Sequence, residues 1–217
     1  MTNKVSTGQL AQVSKSVGRS KPIILASQSK IRAAILVNAG LDLATEPAKI
    51  DEHSIKAAML QDGAPPRDIA DTLAEMKAQK VARKFPDQFV LGCDQILVFE
   101  GRIFDKPNSS ADARRQLLQL RNNTHELLSA AVIFHGGAAV FRHIGRARLT
   151  VRNFSDSFLD TYLEQEGNGV MDTVGAYKIE ARGAQLFSGI DGDYFSILGL
   201  PLLEILDYFR TRAVLVQ

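Results

Sequence analysis

The sequence has only one cysteine, Cys93, in 217 residues. A framework of disulfides is therefore excluded, as is a structural zinc site built from several thiolates. The four histidines, at positions 53, 125, 135 and 143, do not have the spacing of metal ligands. Cys93 is more typical of a small apolar residue than of a nucleophile, because no Cys–His arrangement accompanies it.

The chain also lacks a strong net charge and a long hydrophobic run. Its 26 Lys and Arg residues nearly balance 24 Asp and Glu, so the net charge is only +2. Charge of this size does not predict binding to nucleic acid or to an anionic membrane. No apolar run approaches the ~20 residues that cross a bilayer, and residues 1–21 lack the apolar core of a secretory signal. We therefore expect a cytoplasmic protein without nucleic-acid or membrane partners.

What the sequence does contain is an alternation of apolar strands and amphipathic helices. We interpret residues 1–21 as a flexible N-terminal extension and residues 22–217 as a single domain. The pattern predicts helices at about 29–40, 51–60, 68–85, 109–123, 155–166 and 201–213, and strands at 22–28, 89–99, 103–107, 125–135, 138–151 and 184–190. An antiparallel hairpin turning at Gly136–Gly137 makes the expected fold α/β, with a mixed sheet and flanking helices.

One acidic residue stands inside an apolar strand. Asp94 lies between Val90–Leu91 and Ile96–Phe99, where an unpaired carboxylate would be costly. From the residues alone, Asp94 either ends a strand in a salt bridge or belongs to a functional site.

Further polar residues stand beside apolar elements and suit one phosphate site. Serine hydroxyls and free helix N–H groups at the first strand–helix junction, together with Arg32, Lys77 and Lys106, are suited to hold a polyphosphate. Glu52 and Asp94 are the ligand type of a hard divalent cation. A carboxylate at a metal site can also orient or deprotonate a water molecule for attack on phosphorus.

Seven short motifs follow one another in a fixed order: LASQSKIRAAIL at 25–36, DE at 51–52, LAEMKA at 73–78, GCD to DKP at 92–107, TH at 124–125, GAY at 175–177 and GLPL at 199–202. Each motif alone is weak. The ordered set, from residue 23 to about residue 210, resembles the Maf family of nucleoside triphosphate pyrophosphatases.

The resemblance implies hydrolysis of a nucleoside triphosphate between its α and β phosphates, with Mg²⁺ or Mn²⁺ as cofactor. It also implies two lobes around a deep cleft, often in a homodimer. Asp94 would be the catalytic acid–base residue, and Glu52 and Asp94 would hold the metal. The implied substrate-binding residues are Ser27, Ser29, Arg32, Lys77 and Lys106.

Two residues resemble the branch of the family associated with 7-methyl-GTP. Gln95 follows the catalytic acid where dTTP/UTP enzymes usually have Thr, and Glu180 stands where they have Gln. Methylation at N7 leaves the purine cationic, which an acidic Glu180 would favour. Ile31 stands where this branch has Trp, so no aromatic ring is available there to stack on the base. We expect Gln95, Glu180 and Ile31 to set base specificity, with a dTTP/UTP-type pyrophosphatase as the alternative.

A different class of function is a non-catalytic, nucleotide-binding regulator of cell division. The presence of the full polar set favours an enzyme, because a sensor does not require an acid at position 94. His125, at a strand start, is expected to be a hydrogen-bonded structural residue. Lys80 is expected on a solvated helix face.

Overall fold

The computed structural model describes residues 21–216; nearly all of the predicted extension at 1–21 lies outside them. Its centre is a seven-stranded mixed sheet, so the expected α/β fold class is confirmed. β1 pairs in parallel with β2 and β3, and the other pairings are antiparallel. The strand order is β2-β1-β3-β5-β6-β7, with β4 beside β3. The strands are β1 (Ile23–Leu25), β2 (Leu43–Thr45), β3 (Val90–Phe99), β4 (Arg102–Phe104), β5 (Thr124–His135), β6 (Ala138–Val151) and β7 (Phe187–Gly192).

The helices begin where the sequence supplies capping side chains. Ser29, Asp51 and Ser109 each accept a hydrogen bond from the backbone N–H three residues further on, which satisfies a donor that the helix itself leaves free. The helices are α1 (Lys30–Asn38), α2 (Glu52–Gln61), α3 (Pro66–Ala82), α4 (Ser110–Leu120), α5 (Asp156–Glu166), α6 (Tyr194–Ile197) and α7 (Leu202–Thr211). None of the helices in residues 21–216 combines the length and the apolar character needed to span a membrane.

The hydrophobic core divides into three clusters around β3. Even-numbered residues of β3 face α3, whose buried side chains include Ile69 and Leu73. On the opposite face, Leu91 and Cys93 pack with α1 and α7, whereas Leu97 packs with α4 and α5. The two clusters of this face lie on either side of Gln95, near the middle of β3.

The sheet has a gap beside Asp94. β5 pairs with β3 along its whole length, from Val90 to Val98. On the other edge of β3, β1 pairs only up to Leu91 and β4 only from Leu97. Residues 92–96 therefore have no strand partner on that edge, which leaves an opening in the middle of a continuous strand.

Three local expectations differ from the structure. The edge strand β2 was not predicted, because three residues are too few to show an alternating pattern. The last strand runs from Phe187 to Gly192, since residues Arg182–Leu186 form a 3₁₀ helix. The helical spacing of Ile69, Leu73 and Met76 predicts that Met76 faces inward, but Met76 is 36% exposed. Four of the eight buried residues of α3 are alanines.

Candidate active site

A lysine from α3 joins the two carboxylates that the sequence singles out. The Lys77 ammonium lies 2.7 Å from Asp94 Oδ1 and 3.0 Å from Glu52 Oε1. Lys77 and Asp94 are buried, at 8% and 6% exposure, whereas the Glu52 side chain is half exposed. Three elements that are far apart in sequence therefore converge on one nitrogen atom.

The contact between Lys77 and Asp94 depends on a close approach of α3 to β3. A Cβ atom on Gly92 would lie 2.6 Å from the backbone nitrogen of Ala78 and would also collide with the carbonyl oxygen of Ala74. Both alanines are fully buried. Small residues on both elements thus let the helix lie directly on the strand, at the residue next to Lys77 on α3 and two residues from Asp94 on β3.

Burial raises the pKa of the Asp94 carboxyl above its usual range. Its removal from water is the largest cause, and the nearby Glu52 carboxylate acts in the same direction. The positive charges of Lys77 and Arg32 oppose the shift. A carboxylate that is held weakly as an anion accepts a proton more readily, which is the property of a general base.

Arg32 occupies the gap in the sheet. Consecutive β3 carbonyls facing β1 accept from backbone nitrogens of the first strand: Ile24 donates to Phe89, and Ala26 donates to Leu91. The next carbonyl in this series, that of Cys93, accepts from Nη1 of Arg32 at 3.1 Å. The guanidinium thus takes the place of the missing strand residue, beside Asp94.

The far side of the same guanidinium is fixed by a distant loop. Arg32 Nε donates to the carbonyl oxygen of Gly199 at 2.8 Å. Gly199 has a φ of +91°, and a Cβ there would lie 2.9 Å from Arg32 Nη2. Glycine is required at this position both by its backbone conformation and by the stacked guanidinium.

The two serines of the first motif organise the start of α1. Ser27 Oγ accepts from the Ser29 backbone nitrogen at 3.2 Å, and Ser29 Oγ accepts from the Arg32 nitrogen at 3.3 Å. Ser27 Oγ is also 3.5 Å from Arg32 Nη1. The helix N-terminus, which favours anions, therefore lies beside the arginine in the gap.

Lys106 is exposed on the segment after β4. The preceding residue, Asp105, forms an ion pair with Lys56 of α2. Lys56 stands four residues after Glu52 and so shares its helix face. This pairing places the Lys106 segment along the same face of α2 that presents Glu52 to Lys77.

The three expected specificity residues lie in different places. Ile31 is half-buried and packs against the cluster around α1 and α7. Gln95 faces the side of β3 opposite Asp94, and its amide nitrogen bonds to Ser129 and to the end of α6. Glu180 is exposed in the turn before the 3₁₀ helix Arg182–Leu186. Burial is the largest cause of the raised pKa of the Tyr162 hydroxyl, and the Glu166 and Glu180 carboxylates act in the same direction. Their role in base selection stays a prediction.

The profile of Maf-like proteins matches residues 22–212. The chain belongs to the Maf family. A nucleoside triphosphate pyrophosphatase of Roseobacter denitrificans is 53% identical over 88% of this Maf protein and 96% of its own chain.

Other relatives show comparable similarity. A nucleoside triphosphate pyrophosphatase of Ruegeria pomeroyi is 50% identical over 89% of this Maf chain and 98% of its own. A 7-methyl-GTP pyrophosphatase of Mesorhizobium japonicum is 46% identical over 87% of this chain and 95% of its own. Among solved structures, a nucleoside-triphosphatase / dITP/XTP pyrophosphatase of Mycobacterium abscessus aligns over 89% of this chain and 95% of its own, with 16% identity and a TM-score of 0.41.

The carboxylates of this Maf protein suit a metal that is shared with the substrate. Within residues 21–216, no group of three or more His, Cys, Asp and Glu side chains is placed to hold a metal by itself. Glu52 and Asp94 meet at one cationic nitrogen. Mg²⁺ in phosphate-transfer sites commonly takes one or two carboxylates and completes its shell with water and substrate phosphates. The donor pair fits that type of site.

Cys93 has no nucleophilic role in this arrangement. It is fully buried, and burial raises the pKa of its thiol to about 11. The thiolate is the reactive form, so the side chain stays protonated and packs as a small apolar group, as the sequence predicts.

His125 gives this Maf protein a measurable acid sensitivity of folding. Its Nε2 lies 2.6 Å from the Tyr177 hydroxyl, Nδ1 is buried without a partner, and burial lowers the pKa to about 4 from 6.5. Below pH 6.5 the unfolded state binds the extra proton, so stability falls as the pH drops towards 4, by about 3 kcal/mol for this group.

Denaturant unfolding at pH 7.5, 5.5 and 4.5 checks this expectation. The stability difference between the native chain and a His125→Gln variant should shrink or change sign as the pH falls. A difference that stays constant over this range would contradict a neutral, buried His125.

Proposed function

We propose that this Maf protein hydrolyses nucleoside triphosphates to the monophosphate and pyrophosphate. The observation that carries the proposal is the buried Asp94, joined to Glu52 through Lys77, at the gap in the sheet where Arg32 and the α1 N-terminus lie. The similarity to nucleoside triphosphate pyrophosphatases over nearly the whole chain supports the same activity.

In this proposal Asp94 accepts a proton from water while the water oxygen attacks the α-phosphorus. The bond from that phosphorus to the bridging oxygen breaks, and pyrophosphate leaves with the bridging oxygen. Arg32, Lys77 and Lys106 bind the phosphate oxygens through charge-assisted hydrogen bonds. Mg²⁺ or Mn²⁺, when held by Glu52, Asp94 and the phosphates, would offset the negative charge of the substrate. The homodimer and the cytoplasmic location stay predictions.

We propose 7-methyl-GTP as a substrate. The base of this nucleotide carries a positive charge, and Glu180 is an exposed carboxylate that no ion pair with another described residue occupies. The Mesorhizobium japonicum relative is named a 7-methyl-GTP pyrophosphatase, which supports this choice. A carboxylate facing a cation across partly hydrated space is worth roughly 1 kcal/mol.

A pyrophosphate-release screen over GTP, 7-methyl-GTP, UTP, CTP and dTTP with Mg²⁺ or Mn²⁺ tests both proposals. We expect the highest kcat/KM for 7-methyl-GTP. Glu180→Gln should lower its preference over GTP by about five- to tenfold, while the matched control Glu164→Gln, an exposed glutamate on α5, leaves it unchanged.

The outcomes separate the two levels of the proposal. Turnover of several nucleotides with an unaltered preference in Glu180→Gln would reject the 7-methyl-GTP assignment and retain the activity. No turnover of any nucleotide by folded protein with metal present would reject the activity, and nucleotide binding without turnover would then favour a regulator.

A further inference from the structure

The residue after the candidate catalytic acid bonds to the polypeptide backbone of α6. Gln95 Nε2 donates to the carbonyl oxygens of Ile197 at 2.9 Å and Ser196 at 3.2 Å, and to Ser129 Oγ at 3.0 Å. The Ser129 hydroxyl, fully buried, donates to the same Ser196 oxygen at 2.6 Å. The amide nitrogen of Gln95 is therefore fully engaged with protein groups.

The α6 helix rests directly on the sheet at this point. A Cβ on Gly145 of β6 would lie 2.2 Å from Ser196 Oγ and 3.0 Å from Ser196 Cβ, so the Ser196 side chain packs directly on the backbone of Gly145. Asp193 caps the helix at its other end by accepting from the Ser196 nitrogen at 2.7 Å. The four-residue helix is thus fixed to β3, β5 and β6 by hydrogen bonds and close packing.

The end of α6 leads immediately to the carbonyl group that holds Arg32. Gly199 follows Ile197 by two residues, its nitrogen donates to the Ser196 oxygen at 3.0 Å, and its own oxygen accepts from Arg32 Nε. Arg32 in turn bonds to Cys93, two residues before Gln95 on the same strand. The contacts form a closed ring from Gln95 through α6 and Gly199 to Arg32 and back to β3.

We propose that Gln95 is a positioning residue, which holds Arg32 in place for the substrate phosphates through α6 and Gly199, rather than a residue that recognises the base. This inference rests on the proposed function, because it assigns phosphate binding to Arg32. Arg32 Nη2 forms no hydrogen bond with the described residues, so it stays free for a phosphate oxygen. Loss of the Gln95 bonds would let Gly199 and the guanidinium shift.

A phosphate ligand without a base separates positioning from base recognition. Inorganic tripolyphosphate with Mg²⁺ is such a probe, and its dissociation constant can be measured by calorimetry whether or not the protein turns over nucleotides. Gln95→Leu should weaken tripolyphosphate binding by about tenfold, the usual effect of losing one or two buried hydrogen bonds. Ser129→Ala, which removes a second bond to the same carbonyl, should weaken it in the same direction by a smaller factor.

A double-mutant cycle tests the route through the arginine. In an Arg32→Ala background, adding Gln95→Leu should weaken tripolyphosphate binding by less than about twofold, because coupled residues are not additive. Thermal unfolding of each variant verifies that the chain is folded. For nucleotides, Gln95→Leu should raise KM by the same factor for every base and leave the ranking of bases unchanged.

Two results would overturn the proposal. One is unchanged tripolyphosphate binding in Gln95→Leu combined with an altered base ranking, which would make Gln95 a base-recognising residue. The other is that the effects of Gln95→Leu and Arg32→Ala on the free energy of tripolyphosphate binding add fully in the double variant. A native chain that binds tripolyphosphate but hydrolyses no nucleotide would reject the proposed function alone, since the binding cycle does not depend on turnover.

Discussion

Replacing Asp94 by asparagine is expected to lower kcat for nucleotide hydrolysis by about 10³- to 10⁴-fold, the upper range for loss of a general base. Asparagine has the same shape but neither accepts the proton of the attacking water nor contributes charge to a divalent cation. The protein should remain folded, because Lys77 keeps its ion pair with Glu52 at 3.0 Å and no cavity is created.

Asp160→Asn is the matched control for this variant. Asp160 is an exposed carboxylate on α5, and it pairs with Arg114 away from the buried contact. Its replacement should change kcat by less than about threefold, since exposed ion pairs contribute little. Pyrophosphate release gives kcat for both variants, and thermal unfolding shows whether each of them is folded. Retention of a tenth or more of native kcat in folded Asp94→Asn would remove Asp94 from the reaction.

Gly92→Ala is expected to reduce both stability and activity. The added Cβ meets backbone atoms of Ala74 and Ala78, which cannot rotate away as the end of a side chain could. α3 must therefore move away from β3, at a cost of about 3 kcal/mol for overpacking. The same movement withdraws Lys77 from Asp94, and displacement of such a group by an ångström lowers kcat/KM by roughly 100-fold.

The control for this prediction is another strand glycine. A Cβ on Gly189 of β7 would lie 3.8 Å from its nearest neighbour, an ordinary contact, so Gly189→Ala should change the free energy of unfolding by less than about 0.5 kcal/mol. Urea denaturation and initial rates are measured for both variants. If Gly92→Ala were as stable and as active as Gly189→Ala, the close packing of α3 on β3 would not be what positions Lys77.

The local parts of the fold follow from local sequence patterns. The capping pattern predicts Ser27 or Ser29 before α1, Asp51 before α2 and Ser109 or Ser110 before α4, and the structure has Ser29, Asp51 and Ser109 in these positions. Paired glycines turn the β5–β6 hairpin with positive φ angles. Asp94 also lies on its predicted strand, because the apolar residues on both sides of it specify β3 even with a carboxylate between them. Such features depend on neighbours in the chain, so one sequence contains enough information to predict them.

The gap in the sheet could not be predicted in this way. It arises because β1 pairs with the start of β3 and β4 with its end, which is a property of strand pairing between distant segments. The contact of Arg32 with Gly199 joins residues 167 positions apart. Patterns within a helix or strand contain no information about such pairs, although both residues lie in the motifs on which the family resemblance rests.

The buried face of α3 shows a different limit of prediction from sequence. The rule that large apolar residues face inward predicts Met76 in the core, but Met76 is partly exposed and Ala70, Ala74 and Ala78 are buried. The small residues matter because they bring the helix close to Gly92 and so bring Lys77 to Asp94. No prediction from sequence rested on Gly92, although a glycine inside a strand pattern is the signal that could have indicated such a close approach.

Phosphorus NMR of the reaction products tests the central claim most directly. The native chain, incubated with Mg²⁺ and 7-methyl-GTP or another nucleotide that it turns over, should yield the monophosphate and pyrophosphate in equal amounts, and Asp94→Asn should yield neither over the same time. Release of a nucleoside diphosphate with orthophosphate, or equal product formation by Asp94→Asn, would contradict an attack on the α-phosphorus assisted by Asp94.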